Sequence, residues 1–386
     1  MKKLHVFCMS IAFIAYLGIV SVGAKNPAST PTKLPANIYA GSWATSHMQG
    51  MTIDDNRQYM YFSFTSMLVK TDMSGNVLGS VVGLTGHLGD LAFYDGKVYG
   101  SLEYKDKNSF YIAVFDAKKI TEANMPHNQG DVLKTMYLDE VVKDYTNALE
   151  AGEYENKPGS MGHRYGCSGI DGVTFGTVPG SKSNTIKLMV AYGIYGNIER
   201  KDNDYQVILQ YDLSSFTPEN QDVLDQTHYH TKGPKHEAKY FVFTGNTTYG
   251  VQNLEYDKDT HNYWMAMYVG KKPQYPNYPL YLIDGKISPA KGIIRGQKDS
   301  GETGLLLQLA KKGTLHEASG VYGFTNTGGD AATGFISLGK DYFYISKTGG
   351  FNKDGVKKQY GYANLFKLDR KTNIFKGDNR GEPQAN

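Results

Sequence analysis

Short runs of alternating apolar and polar residues, separated by Gly, Asn and Asp, dominate the chain, and helical periodicity is scarce. One pattern recurs five times: a small or polar pair followed by alternating apolar residues. It reads Met48–Ile53 (MQGMTI), Leu88–Phe93 (LGDLAF), Ile170–Phe175 (IDGVTF), Val251–Tyr256 (VQNLEY) and Ala318–Phe324 (ASGVYGF). A period of two predicts strands. Further short strand signals follow each copy, rich in Tyr, Val, Ile and Phe and bounded by turn residues. One strand in each unit ends on an Asp: Asp72, Asp116, Asp212, Asp284 and Asp369.

Repeated units of this kind predict an all-β chain: a β-propeller of five blades, each of about four antiparallel strands, with long loop inserts. The spacing from Gly50 to Asp90 suits one plain blade of about 40–45 residues. The later spacings are longer and predict the inserts. A blade count of six or seven, or a β-sandwich, is the competing architecture. The one clear helical stretch, Asp139–Leu149, belongs to an insert.

Composition supports short strands and tight turns, with 30 Tyr and 44 Gly in 386 residues. The first 24 residues read as an export leader: Lys2 and Lys3, an apolar run from Leu4, then Val22-Gly23-Ala24. The expected organisation is a leader over 1–24, a flexible lead-in over 25–40 and one propeller over 41–386. The expected location is periplasmic or extracellular. No other stretch is apolar enough to span a bilayer, so no stable membrane insertion is expected after leader removal. Losing Lys2 and Lys3 brings the formal charge of +3 close to neutral, which argues against nucleic acid as a partner. Losing Cys8 leaves Cys167 alone, so no internal disulfide is expected. The chain is expected to be a monomer that binds a small polar ligand, a saccharide or a peptide-derived molecule.

Innermost propeller strands surround a channel, and the recurring motif is the natural innermost strand. Its polar residues therefore define the candidate site. Asp90, Asp171 and Glu255 come from successive units and suit acid–base chemistry of a hydrolase or lyase. His47, His87 and His316 are candidate ligands for a divalent metal, Zn, Mn or Ca. Gln49, Gln252 and Asn253 on the same strands are candidate ligand-binding groups, as are Arg164 at the channel mouth and Tyr275 in a Pro-rich loop. Cys167 near His163 invites a nucleophile reading, which an oxidising compartment disfavours. The alternative is a non-catalytic propeller whose channel residues satisfy one another and bound water.

Three of the motifs also carry a resemblance. His47-Met-Gln-Gly-Met resembles the F-T-Q-G-L opening of glutamine cyclotransferases, which are secreted five-bladed propellers. Gln252-Asn-Leu-Glu-Tyr is similar to their N-E-L-E-[WY], and Ser319-Gly-Val-Tyr to their N-G-I-A. The resemblance implies a propeller, a cyclotransferase-like acyl transfer and a place for Glu255 in the substrate pocket. It covers three short strands, and His47 and His87 are not part of that pattern.

Overall fold

The computed structural model describes residues 34–146, 163–297 and 301–377. The expected leader and the start of the lead-in lie outside the described residues. Five antiparallel sheets ring a central axis, as the repeats predict. Their inner strands are Met48–Ile53, His87–Tyr94, Cys167–Thr177, Thr247–Asp257 and Phe335–Gly339. Four match the repeat motif. The fifth does not: Ala318–Phe324 lies instead around a small hairpin, Thr314–His316 with Val321–Gly323, on the outer side of blade 4. The true fifth inner strand follows Gly334, whose missing side chain leaves room for Met51 of blade 1.

Alternation places successive side chains of each strand on opposite faces, so each sheet feeds two interfaces. In blade 2, Val98 and Leu102 pack towards blade 1, while Tyr99 packs towards blade 3. Five apolar clusters result, one between each pair of neighbouring blades. Together they form the core, with no disulfide among the described residues.

The five terminal Asp residues share one physical role. Each accepts a hydrogen bond from the backbone N–H two residues on: Ser74, Lys118, Ser214, Lys286 and Lys371, at 2.8–3.0 Å. The carboxylate satisfies a turn donor that the sheet cannot.

The long inserts reach backwards. Met125–Pro126, from the blade 2 insert, extends the outer strand of blade 1. Asp222–Val223, from the blade 3 insert, extends blade 2. Thr303–Leu307, which follows the blade 4 strands in the chain, pairs in parallel with Ala238–Phe243 of blade 3. Each insert thus covers the exposed edge of the preceding blade. Asn37–Trp43 closes the ring by pairing with Val356–Asp369 of blade 5. The propeller therefore begins inside the expected lead-in, before residue 41. The expected helix is present as Asp139–Thr146. Among the described residues, no helix is long and apolar enough to cross a membrane.

Candidate functional site

Halfway along the axis the channel is closed by hydrogen bonds. Asp90, 2% exposed, accepts from the backbone N–H of Leu91, Val173 and Leu254, each at 2.9 Å, and so ties blades 2, 3 and 4. Asn253 donates to the carbonyls of Gln49 and Ala332 and accepts from Phe335 N–H, tying blades 1, 4 and 5. Gly50 permits this closeness, since a Cβ there would sit 2.6 Å from Asp90 Cα. Asp90 and Asn253 thus make the waist of the channel. Burial pushes the Asp90 carboxyl well above its usual range, against the pull of its three N–H partners.

Above the waist, at the end where the inner strands begin, opens a funnel of about 790 Å³. His47 and Gln49 of blade 1, His87, Glu103 and Lys105 of blade 2, Asp171 of blade 3 and Gln252 of blade 4 line it. One ligand atom from each of His87, Glu103 and Asp171 lies within 4.8 Å of the others. His87 Nδ1 is 3.4 Å from Glu103 Oε1 and 3.8 Å from Asp171 Oδ1, yet it makes no hydrogen bond. Lys105 Nζ pairs with Glu103 Oε1 at 2.9 Å. Glu103 Oε2 accepts from Ile170 N–H at 3.2 Å. That reach needs Gly169, because a Cβ there would lie 2.0 Å from the same oxygen. Gln252 Nε2 donates to Asp171 Oδ2 at 2.9 Å.

Burial, then the Glu103 charge, push the Asp171 carboxyl well up, against Lys105 and Gln252. Burial lowers the His87 imidazole, and Glu103 only partly opposes it; burial also lowers His47. Burial would lower the Lys105 ammonium too, but Glu103 and Asp171 hold it above its usual range. Burial thus favours the neutral form of both the Asp171 carboxyl and the His87 imidazole. Those are the forms that a general acid and a general base need.

His87, Glu103 and Asp171 also form a donor set of one nitrogen and carboxylate oxygens that suits a divalent cation. The orphaned His87 Nδ1 fits such a role. The Lys105 ammonium on Glu103 Oε1 already supplies one positive charge there.

His47, Gln49, His87, Asp171 and Gln252 all line the mouth, whereas other candidates lie elsewhere. Glu255 is at the far end of the channel, in a separate recess of about 350 Å³, where it accepts from Ser337 N–H at 2.9 Å. This corrects both the expected carboxylate trio and the substrate-pocket role implied by the resemblance. His316 sits on the outer hairpin of blade 4 with Nδ1 on Ser319 Oγ at 2.8 Å, so it cannot join His47 and His87. Arg164 is paired with Glu302 at 2.6 Å. Tyr275 donates to Asp204 in another cavity, of about 460 Å³. Cys167 is buried, and burial pushes its thiol up, away from the reactive thiolate.

Glu103 and Lys105 are the functional candidates that the motif reading missed. They lie on and just after the second strand of blade 2, Lys97–Tyr104, not on an inner strand.

No protein-family model matches the sequence, and no curated protein does either. Among solved structures, the chain is similar to the Cps50 (Swd1) β-propeller domain of Myceliophteria thermophila, at 7% identity and a TM-score of 0.36, covering 88% of each chain. It is also similar to the PQQ domain of pyranose dehydrogenase from Coprinopsis cinerea, at 11% identity and a TM-score of 0.35, covering 82% of this chain and 81% of that one. Likeness at this level decides nothing about activity or cofactor. The five-bladed propeller stands on the chain's own five ringed sheets.

Proposed function

We propose that this exported propeller binds a small polar ligand in the funnel and acts on it as a lyase, with an acidic saccharide as the substrate class. The observation that carries this reading is the meeting of His87, Glu103, Asp171 and Lys105 on the funnel floor. An inverting glycoside hydrolase needs its two carboxyl groups about 6.5–9.5 Å apart, with water between them. Glu103 and Asp171 approach within 4.8 Å, too close for that use. The spacing is nearer that of a retaining hydrolase, about 5–5.5 Å. Lys105 and the Ile170 N–H, however, occupy both oxygens of the Glu103 carboxylate that would have to attack.

A β-elimination suits the charges better. Lys105 would offset the negative charge of a sugar carboxylate. The His87 imidazole would take the proton next to that carboxylate, and the freed electron pair would form the C=C bond. The C–O bond to the leaving sugar would break, and Asp171 would give its proton to the departing oxygen. Gln252 orients Asp171 through its hydrogen bond. The leader expected over residues 1–24 supports export to where such polymers are found.

The test is a screen of acidic and neutral glycans for unsaturated products, with His87→Ala and Asp171→Asn alongside the parent. Turnover of a uronate-containing glycan that falls about 10²-fold or more in each variant supports the reading. Turnover that ignores both changes, or no turnover of any acidic glycan, contradicts it.

A second reading takes His87, Glu103 and Asp171 as ligands of Zn, Mn or Ca, in place of the expected His47, His87 and His316 set. The unpartnered His87 Nδ1 favours it. Calorimetric titration with each ion separates the readings. Stoichiometric binding lost in His87→Ala supports the metal site, and no heat with any ion removes it.

A further inference from the structure

Blade 5 carries a ribbon that outgrows its sheet. Tyr342–Lys353 and Val356–Asp369 stay paired to the tip, Lys353 opposite Val356. The inner neighbour Phe335–Gly339 covers only as far as Ile345, and the closing strand stops at Gln359. Beyond those points the ribbon is two-stranded, a form that is marginal in water without a partner for one face.

One face of this ribbon has an unusual composition. Lys353 and Val356 stand side by side on it, then Phe351 and Lys358, Gly349 and Tyr360, and Lys347 and Tyr362. Tyr39 of the closing strand lies beside Tyr362 on the same face. The rings form a continuous ladder: Tyr39–Tyr362 at 4.9 Å, Tyr362–Tyr360 at 5.9 Å and Tyr360–Phe351 at 6.3 Å between centroids. Gly349 is the device that lays Tyr360 flat. A Cβ there would lie 2.3 Å from the Tyr360 hydroxyl oxygen, so the ring rests across bare backbone. Phe351 is 41% exposed and Tyr39 36%. Further down, the same face is covered: Phe343, Ile345 and Phe366 pack against blade 4.

Three lysines flank the ladder, Lys347, Lys353 and Lys358, and the strands bring no acid to this face between Lys347 and Tyr362. Lysines on free edges keep ribbons from pairing with other chains. Edge protection accounts for the lysines but not for a row of four rings, two of them exposed and two half-buried. A row of rings that offers faces and edges in turn suits the apolar faces of repeating sugar units, and the cations beside them suit negative charge on those units.

We propose that this face is a binding platform for an acidic polysaccharide, with sugar rings packed along Tyr39, Tyr362, Tyr360 and Phe351, and carboxylate or sulfate groups on the lysines. The rings run along the ribbon rather than crowding its tip. A linear polymer can touch all of them at once, whereas a bilayer meeting the tip cannot. The inference rests on the funnel reading only for the choice of a saccharide over another anionic polymer.

The experiment is electrophoresis of the full chain through gels containing polygalacturonate, chondroitin sulfate or neutral dextran. Both acidic polymers should retard the parent, and dextran should not. The Phe351→Ala/Tyr360→Ala pair, and separately the Lys353→Gln/Lys358→Gln pair, should weaken retardation about tenfold. Both pairs are exposed or half-buried on the ribbon, outside the inter-blade clusters, so folding should persist. His87→Ala should leave retardation unchanged while removing turnover, which keeps the platform distinct from the funnel. Four results overturn the proposal: no retardation, equal retardation by dextran, retardation unchanged in both paired variants, or binding to phosphatidylglycerol vesicles without binding to polysaccharide. A dimer that forms in the parent and is lost in the aromatic pair, with no polysaccharide effect, overturns it as well.

Discussion

Asp90 and Asp171 are buried carboxyls on the inner strands of neighbouring blades, and they do opposite things. Asp90 at the waist spends its oxygens on three backbone N–H groups from three blades. Asp171 at the mouth takes one donor, from Gln252, and faces a second carboxylate, a lysine and an imidazole. Burial raises both carboxyls. A raised carboxyl therefore does not by itself mark a working acid. What separates the two is the hydrogen-bond ledger around each and whether a cavity opens beside it.

The largest expected effect tests the waist. Asp90→Ala strands three buried N–H groups, at roughly 1–3 kcal/mol each. The protein should lose ~3 kcal/mol or more in denaturant unfolding, and loss of soluble protein counts as agreement. A cost under 1 kcal/mol would show that the waist does not depend on this carboxyl.

Asp171→Asn should leave stability within about 1 kcal/mol, because the amide matches the shape of the neutral carboxyl that burial favours and adds no charge beside Glu103. Its turnover should fall about 10²-fold. His316→Ala, in contrast, should leave turnover unchanged, since the outer hairpin of blade 4 is no part of the mouth.

A smaller effect belongs to Glu255 at the far end. Burial pushes its carboxyl up to about 8, against the Ser337 N–H. An unfolded Glu releases its proton near 4.5. Between those values the folded state binds the extra proton, so stability should fall as pH rises from about 4.5 to 8. The side chain is half-buried and solvent screens it, so the effect is on the order of 1 kcal/mol. Glu255→Gln should flatten this part of the pH–stability curve; a slope that survives the change would assign it to other groups. The smallest effect is at Cys167, which should resist thiol reagents in the native protein and react only on unfolding.

Why the sequence revealed some of this and not the rest follows from register. The alternating motifs identify four inner strands because a period of two with small residues at the crowded axis has one consistent reading. The Asp-ended strands were equally legible, since each Asp serves a turn within two residues of itself. The fifth inner strand was hidden because Val321-Tyr322-Gly323 imitates the motif while pairing only with Thr314–His316. Glu103 was hidden by a bulge. The Asp95-Gly96 turn sets Tyr94 against Lys97, and simple counting from there would put Tyr104 opposite His87. The register shifts between Leu88 and Leu91, so Glu103 stands there instead. That one-residue slip completes the mouth, and no local pattern announces it.

The most direct measurement takes Asp171→Asn and reads unfolding free energy and turnover on the same sample. The account predicts stability within about 1 kcal/mol of the parent and turnover down about 10²-fold. A loss of several kcal/mol would make Asp171 a structural tie like Asp90, and turnover equal to the parent would remove it from the chemistry; either result contradicts the account.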